Sequence, residues 1–212
     1  MTTSGTPVLL LASPLAPTEG RRRLQEALTE HAEVTAPSWA LEPTASDLLT
    51  APAAQVQRAL DGLPEPVVVC GVGSGALLAL RIAGEAREQV SGLVLATGRR
   101  PAGSRLARSV HRGVADLLPL AVLQRLRAPE RQLLQTLDLV RAQDAGGLAA
   151  RVTQPALVAW GRRDPLDRLS ARRLTAALPA GTLVALDGAG PGWVWDAPDR
   201  LAGLLSTLGA RR

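Results

Sequence analysis

The chain has 212 residues and a formal net charge of +5, and 46% of its residues are hydrophobic although only 2% are aromatic. This length suits one domain with a sizeable core built from leucine, valine and alanine. Arginine carries all of the positive charge, because the sequence contains no lysine, and the basic pairs are dispersed. No nucleic-acid-binding module accompanies them, so nucleic acid is not an expected partner, whereas an acidic carrier protein is a candidate.

Cysteine content and hydropathy indicate the compartment. The single cysteine, Cys70, excludes an intrachain disulfide and fits a reducing environment. It ends a predicted core strand, which favours a small buried hydrophobe over a reactive thiol. The apolar stretch 8–12 is too short for a signal-peptide core or a membrane span. We therefore expect a cytoplasmic protein without a membrane partner.

Apolar runs alternate with amphipathic stretches along the chain. Six short runs rich in valine, leucine and alanine predict buried strands. They are 7–12, 33–37, 67–70, 90–97, 156–160 and 182–186. Five stretches with apolar residues at helical spacing predict helices. They are 18–30, 51–60, 77–83, 169–178 and 198–208. Alternating strands and helices predict an α/β fold, a mostly parallel sheet flanked by helices.

The segment 101–147 interrupts this alternation. It has no strand signal and contains leucine-rich helical stretches that are separated by prolines and by Gly146-Gly147. We interpret it as a helical cap inserted into a core formed by residues 1–100 and 148–212. A cap above the carboxyl ends of parallel strands would enclose a ligand cavity.

The turn after the third predicted strand carries a specific motif. Small residues occupy 71–76, between a valine run and an alanine- and leucine-rich helix pattern. Such residues let the backbone adopt unusual angles and let the helix pass close to the strand. The stretch Gly71-Val72-Gly73-Ser74-Gly75-Ala76 resembles the nucleophile elbow, G-x-S-x-G, of the α/β-hydrolase family. The resemblance covers nearly the whole chain from the family's third strand onward, and it implies that family's fold.

The nucleophile position of the resemblance is occupied by Gly73. The residue that would attack a carbonyl group therefore has no side chain. A shift of one residue would instead put Ser74 in the elbow, with Val72 at a position that normally holds a small residue. In that second register Ser74 is the candidate nucleophile of an esterase or thioesterase. Its other interpretation is a polar residue that caps the helix.

The remaining catalytic positions implied by the resemblance are mixed. Asp164 fits the family's acid, although an aspartate before proline in a turn also makes local hydrogen bonds. Pro191 stands where the final loop of the family has its histidine, and it cannot move a proton. The loop Ala12-Ser13-Pro14 matches the family's His-Gly-x, and Pro14 lacks the N–H that would bind an oxyanion.

Aromatic residues suggest what the predicted cavity binds. Three of the four tryptophans lie in loops at the carboxyl edge of the predicted sheet. They predict an apolar site that accepts a ring, unless they only join loops to the core. His111, in the predicted cap, is a candidate to point into the pocket. The predicted substrate-binding set comprises Pro14, Trp39, Gly73, His111, Pro191, Trp193 and Trp195.

The altered catalytic positions predict a non-hydrolytic enzyme. It would shape an apolar small molecule for a cyclisation, an elimination or an isomerisation, with natural-product biosynthesis as one setting, and Asp164 would handle protons. One alternative is a catalytically inactive protein that binds a ligand or a partner, and another is an esterase or thioesterase that uses Ser74. No metal cluster, phosphate loop or dinucleotide fingerprint is recognisable, so no cofactor is expected.

Overall fold

The part of the chain that the structure describes folds around a six-stranded sheet. The computed structural model describes residues 6–41, 47–63, 66–96, 140 and 143–209. The strands are β1 (Val8–Ala12), β2 (Val34–Thr35), β3 (Val67–Val72), β4 (Val90–Ala96), β5 (Ala156–Gly161) and β6 (Gly181–Leu186). Their spatial order is β2-β1-β3-β4-β5-β6, and all neighbours are parallel. All the carboxyl ends of the strands therefore meet at one edge, as expected for an α/β fold.

Helices cover both faces of the sheet. Within the described residues they are α1 (Thr18–Thr29), α2 (Thr50–Leu60), α3 (Gly75–Glu85), α4 (Ala145–Ala149), α5 (Pro165–Ala177), α6 (Trp193–Asp196) and α7 (Asp199–Gly209). Side chains alternate across each strand, so the core divides in two. One cluster packs β1 and β3–β5 against α2, α3, α4 and α5. The other packs the opposite face against α1, α6 and α7.

The predicted α/β architecture, a mostly parallel sheet flanked by helices, is confirmed, and most strand bounds agree within two residues. Cys70 lies within β3 and is buried, as expected. Burial raises the pKa of its thiol to about 12, because an apolar interior disfavours the thiolate. The thiol is therefore a core group and not a reactive one.

Two glycines predicted to break helical structure lie inside a helix instead. Gly146 and Gly147 belong to α4, which packs between α3 and α5. Asp144 caps this helix, because its carboxylate accepts a hydrogen bond from the Gly147 N–H at 2.9 Å. A Cβ at Gly147 would lie 2.3 Å from that carboxylate. Glycine at this position therefore makes room for the cap.

Most of the predicted helical cap, including His111, lies outside the described residues, so the cap stays a prediction. Core helix α4 begins at Ala145, just before the expected boundary at residue 148. None of the helices in the described ranges is long and apolar enough to cross a membrane.

Candidate functional site

The turn between β3 and α3 has its unusual backbone at Gly73. The φ angle of Gly73 is +63°, in the left-handed region that favours glycine. Its N–H donates to the carbonyl of Ala96 at 3.1 Å, which ties the turn to the end of β4. Ser74 has helical angles, φ −64° and ψ −20°. The apex of the elbow is therefore Gly73, and the register that puts Ser74 there does not match this backbone.

The small residues around the apex let α3 approach the sheet, as expected. A Cβ at Gly75 would lie 1.7 Å from the Leu11 carbonyl oxygen, and one at Gly71 would lie 2.7 Å from Ala76 Cα. Real side chains do not fit at such distances. The first turn of α3 is therefore in backbone contact with β1.

A pair of buried hydroxyl groups lies beside the apex. The Oγ atoms of Ser13 and Ser74 are 2.8 Å apart, and the two residues are only 7% and 8% exposed. Ser13 Oγ also accepts from the Leu15 N–H at 3.3 Å. Ser74 occupies the N-cap position of α3 but makes no side-chain cap hydrogen bond to it, so the interpretation of its hydroxyl as a helix cap is wrong. Its hydroxyl bonds to the loop after β1 instead.

Ser13 also borders the space that a side chain at the apex would need. A Cβ built on Gly73 would lie 3.2 Å from Ser13 Cβ and 3.8 Å from Ser13 Oγ. The first of these contacts is tighter than ordinary van der Waals contact. A residue larger than glycine at position 73 would therefore press on Ser13 as well as adopt a strained φ.

Pro14 lies in a tight turn after β1. The Ala16 N–H donates to the Ser13 carbonyl at 3.0 Å, with Pro14 at the second turn position that proline favours. The Ser13 N–H donates to the Val72 carbonyl at 3.0 Å. The Ser13 amide is thus used to join β1 to β3, and Pro14 has no amide hydrogen to offer.

Asp164 follows β5 and begins α5. It is 4% exposed, and its Oδ1 accepts from the Asp167 N–H at 3.1 Å. This is an N-cap arrangement with Pro165 at the first helical position, where proline is well tolerated. The cap explains why α5 begins four residues before the predicted start. Since β5 is two strands from β3, the two strands lie roughly 10 Å apart across the sheet.

Pro191 lies in the loop between β6 and α6. It is exposed, and the Trp193 N–H donates across it to the Gly190 carbonyl at 3.2 Å. Gly188, earlier in the same loop, has a φ of +70°. Pro191 is therefore part of a surface turn that leads into α6, a short helix that the sequence did not predict.

A sequence profile identifies the family of this fold. The profile described as the alpha/beta hydrolase family matches residues 14–204, which is most of the chain. The chain belongs to the α/β-hydrolase family. No curated protein matches the sequence.

Solved structures show the same α/β-hydrolase fold. An α/β hydrolase enzyme from the metagenome of lagoon sediments at Mar Chica, Morocco, is 20% identical, with a TM-score of 0.68 over 99% of this chain and 92% of that one. A thermophilic esterase from Thermogutta terrifontis is 19% identical, with a TM-score of 0.64 over 99% and 91%. A serine hydrolase involved in carbazole degradation is 18% identical, with a TM-score of 0.67 over 98% and 92%. At these identities the similarity establishes the fold alone.

The three predicted tryptophans of this α/β-hydrolase-family chain are divided between the two faces of the sheet. Trp39 is buried in the core cluster that contains α2 and α3. Trp193 and Trp195 are buried in the cluster on the opposite sheet face, with α6 and α7. Burial on opposite sheet faces favours the alternative that these tryptophans pack their segments against the core. Their role in binding a ring-containing ligand stays a prediction.

The described part of the site is poor in titratable groups. No set of three histidine, cysteine, aspartate or glutamate residues within the described ranges could hold a metal ion. The elbow region offers the hydroxyls of Ser13 and Ser74, and the segment that follows β5 offers Asp164. Sequence reasoning missed Ser13 as a side chain of the site. The available signal was a hydroxyl directly after β1, at the sheet edge where β3 also ends.

Proposed function

We propose that this α/β-hydrolase-family protein is non-hydrolytic and acts on an apolar small molecule. The reaction is a cyclisation, an elimination or an isomerisation, and natural-product biosynthesis is a suitable setting. The observation that carries the proposal is Gly73 at the apex of the elbow, with a φ of +63°. Acyl transfer on this fold needs a nucleophilic side chain at that apex. Glycine offers none.

Two further features support the same conclusion. Ser13 hydrogen-bonds Ser74 and borders the space that a side chain at position 73 would occupy. A nucleophilic side chain at position 73 would therefore be crowded by Ser13. Pro14 and Pro191, at the positions implied for an oxyanion donor and for the histidine base, can neither donate an N–H nor transfer a proton. Each substitution removes a different requirement of serine hydrolysis.

The proposed chemistry relies on position and on few proton donors. A buried apolar site holds a flexible substrate in one reactive conformation and excludes water, both of which lower barriers without a covalent intermediate. Asp164 is the proposed proton handler. The hydroxyls of Ser13 and Ser74 are the proposed donors that orient a polar substrate atom near Gly73.

A second candidate is a pseudo-hydrolase that binds a small molecule or a partner without turnover. The specific observation in its favour is the hydrogen bond from the Asp167 N–H to Asp164, because this bond gives the carboxylate a structural role at the start of α5. A residue retained to cap a helix need not act on a substrate.

Covalent labelling tests the non-hydrolytic character directly. A fluorophosphonate probe is added to the wild type and to the Ser74→Ala and Ser13→Ala variants, and intact mass is measured. No adduct on any of the three is the expected result. An adduct on the wild type that disappears in Ser74→Ala or Ser13→Ala would contradict the proposal and identify a serine hydrolase, with Ser74 or Ser13 respectively as its nucleophile.

Asp164→Asn separates turnover from binding. Asparagine caps helices about as well as aspartate does, so the variant keeps the hydrogen bond to α5 but cannot exchange a proton. Apolar compounds that raise the melting temperature of the wild type are first selected, and their isomers or dehydrated products are then sought by mass spectrometry. Turnover that Asp164→Asn abolishes without lowering the melting temperature supports the enzyme. Stabilisation without product in either protein supports the binding protein.

A further inference from the structure

Helix α5 presents an unusual outward face. Its positions Arg168, Arg172 and Arg173 are all exposed, and one residue of the helix, Asp167, is acidic. Asp167 is buried, with 1% of its surface exposed. Arg172 lies four positions after Arg168, and Arg173 lies four positions after Leu169, so each of these pairs is adjacent on the helix surface. None of the exposed side chains of the helix is acidic.

The arginines of α1 are arranged differently. There Arg22 forms ion pairs with Glu19 and Glu26, and Arg23 forms one with Glu19. The bonds from Arg22 and Arg23 lower the pKa of Glu19 to about 2. Within the described part of the chain, no such ion pair involves an arginine of α5. Among the described residues, Arg22 and Arg23 of α1 are therefore paired within their own helix, whereas the arginines of α5 have no such partner.

The arginines of α5 surround an exposed apolar side chain. Leu169 is 54% exposed and lies three and four positions before Arg172 and Arg173. Leu183 of edge strand β6 is 37% exposed, and its alternation with Ala185 puts it on the sheet face that α5 covers. Among the described residues, Leu15 is the only other large hydrophobic residue that is exposed.

We propose that this surface is a docking site for an acidic protein. We define the α5 arginine face as Arg168, Leu169, Arg172 and Arg173. Its charge is complementary to a carboxylate-rich surface, and Leu169 fits an apolar socket at the centre of such a surface. A membrane surface is a poorer partner, because one exposed leucine gives too little apolar area for a helix to lie in a lipid interface. Nucleic acid is also a poorer partner, because its phosphate backbone offers no apolar contact to the leucine between the cations. The inference goes beyond the proposed function and does not depend on which reaction the protein performs.

Two triple variants with the same net charge test the location of the site. Arg168→Gln, Arg172→Gln and Arg173→Gln together remove the charge of the α5 arginine face. The control combines Arg22→Gln, Arg23→Gln and Arg58→Gln, all at exposed positions on other helices. Each triple lowers the formal charge by three units. Melting temperatures establish that both variants fold.

The probe is a fluorescent helical peptide that carries four glutamates around one leucine, and anisotropy gives its Kd. We expect the α5 triple to weaken binding at least about tenfold at low salt, and the control triple about twofold or less. Leu169→Ser is expected to weaken the binding of this peptide. It should not change the binding of a second peptide in which serine replaces the leucine. Equal losses in both triples, or no binding of the wild type at millimolar peptide, would overturn the proposal. Tighter, α5-dependent binding of duplex DNA or of phosphatidylglycerol vesicles would also overturn it, in favour of a general polyanion surface.

Discussion

Replacing Gly73 by alanine measures how strongly the elbow is built for glycine. A φ of +63° costs a residue with a Cβ about 1–2 kcal/mol. The new Cβ would also lie 3.2 Å from Ser13 Cβ, and crowding of this kind adds about 1 kcal/mol. The stiffer unfolded chain offsets roughly 0.4–1 kcal/mol of this. We therefore expect Gly73→Ala to lower the free energy of unfolding by about 2 kcal/mol, or the melting temperature by about 4–8 °C.

Two other glycines separate the contributions. Gly188 has a φ of +70° and no atom within 4 Å of its would-be Cβ, so Gly188→Ala measures the backbone cost alone. Gly190 has neither constraint, and Gly190→Ala is expected to leave stability unchanged or slightly higher. Urea unfolding followed by tryptophan fluorescence measures all three variants. The loss of unfolding free energy in Gly73→Ala beyond that in Gly188→Ala measures the crowding against Ser13. This difference should be smaller when Gly73→Ala is combined with Ser13→Gly.

Two outcomes would contradict this reasoning. A Gly73→Ala variant as stable as the wild type would refute the strained apex. Equal costs at Gly73 and Gly188 would leave the strained apex in place but refute the crowding by Ser13.

Three further predictions concern the surroundings of the elbow. Gly75→Ala should prevent folding or lower the free energy of unfolding by more than about 4 kcal/mol, because its Cβ would lie 1.7 Å from a carbonyl oxygen of β1. The control is Gly203→Ala in α7, where the Cβ has open space, and this variant should raise the melting temperature. Ser13→Ala and Ser74→Ala should each cost about 1–3 kcal/mol in urea unfolding, because each leaves one buried hydroxyl without its partner. The double variant should cost clearly less than their sum, and additive costs would argue against the hydrogen bond. Burial raises the pKa of Cys70 from 9.0 to about 12, so the unfolded thiol ionises first and stability should fall from about pH 9 to pH 12, by up to roughly 1.4 kcal/mol per pH unit. Thermal melts at several pH values should show this loss of stability in the wild type and not in Cys70→Ala. Equal pH dependence in the two proteins would contradict the prediction, since the chain has no lysine or tyrosine that titrates in that range.

The sheet could be predicted because buried parallel strands leave a direct signature. The run at 67–72 is apolar on both faces, since helices cover both. Short helices leave no such signature. Helix α6 has four residues, and α4 contains two glycines, so local propensity argues against both. The Asp144 cap stabilises α4, and the burial of Trp193, Val194 and Trp195 in the core stabilises α6.

The site was predictable only in part, for a similar reason. The glycine at the apex could be inferred from the motif alone, because the motif fixes the order of residues along one turn. The Ser13–Ser74 bond joins residues 61 positions apart, and nothing local to either residue specifies its partner. Trp39 lies in a loop as predicted, whereas Trp193 and Trp195 lie in the short helix α6. Their sheet faces could not be predicted, because the face depends on how each segment returns to the core.

The backbone contact between Gly75 and Leu11 has a consequence for redesign of this protein. Beneath the elbow, which we call the floor of the site, the main chain at the start of α3 contacts the main chain of β1 directly. Main chain cannot be enlarged, shrunk or recharged by exchanging one residue for another. A designer who wishes to change what the site accepts must therefore work on its walls, the loops that follow β1, β5 and β6, and leave the floor as it is.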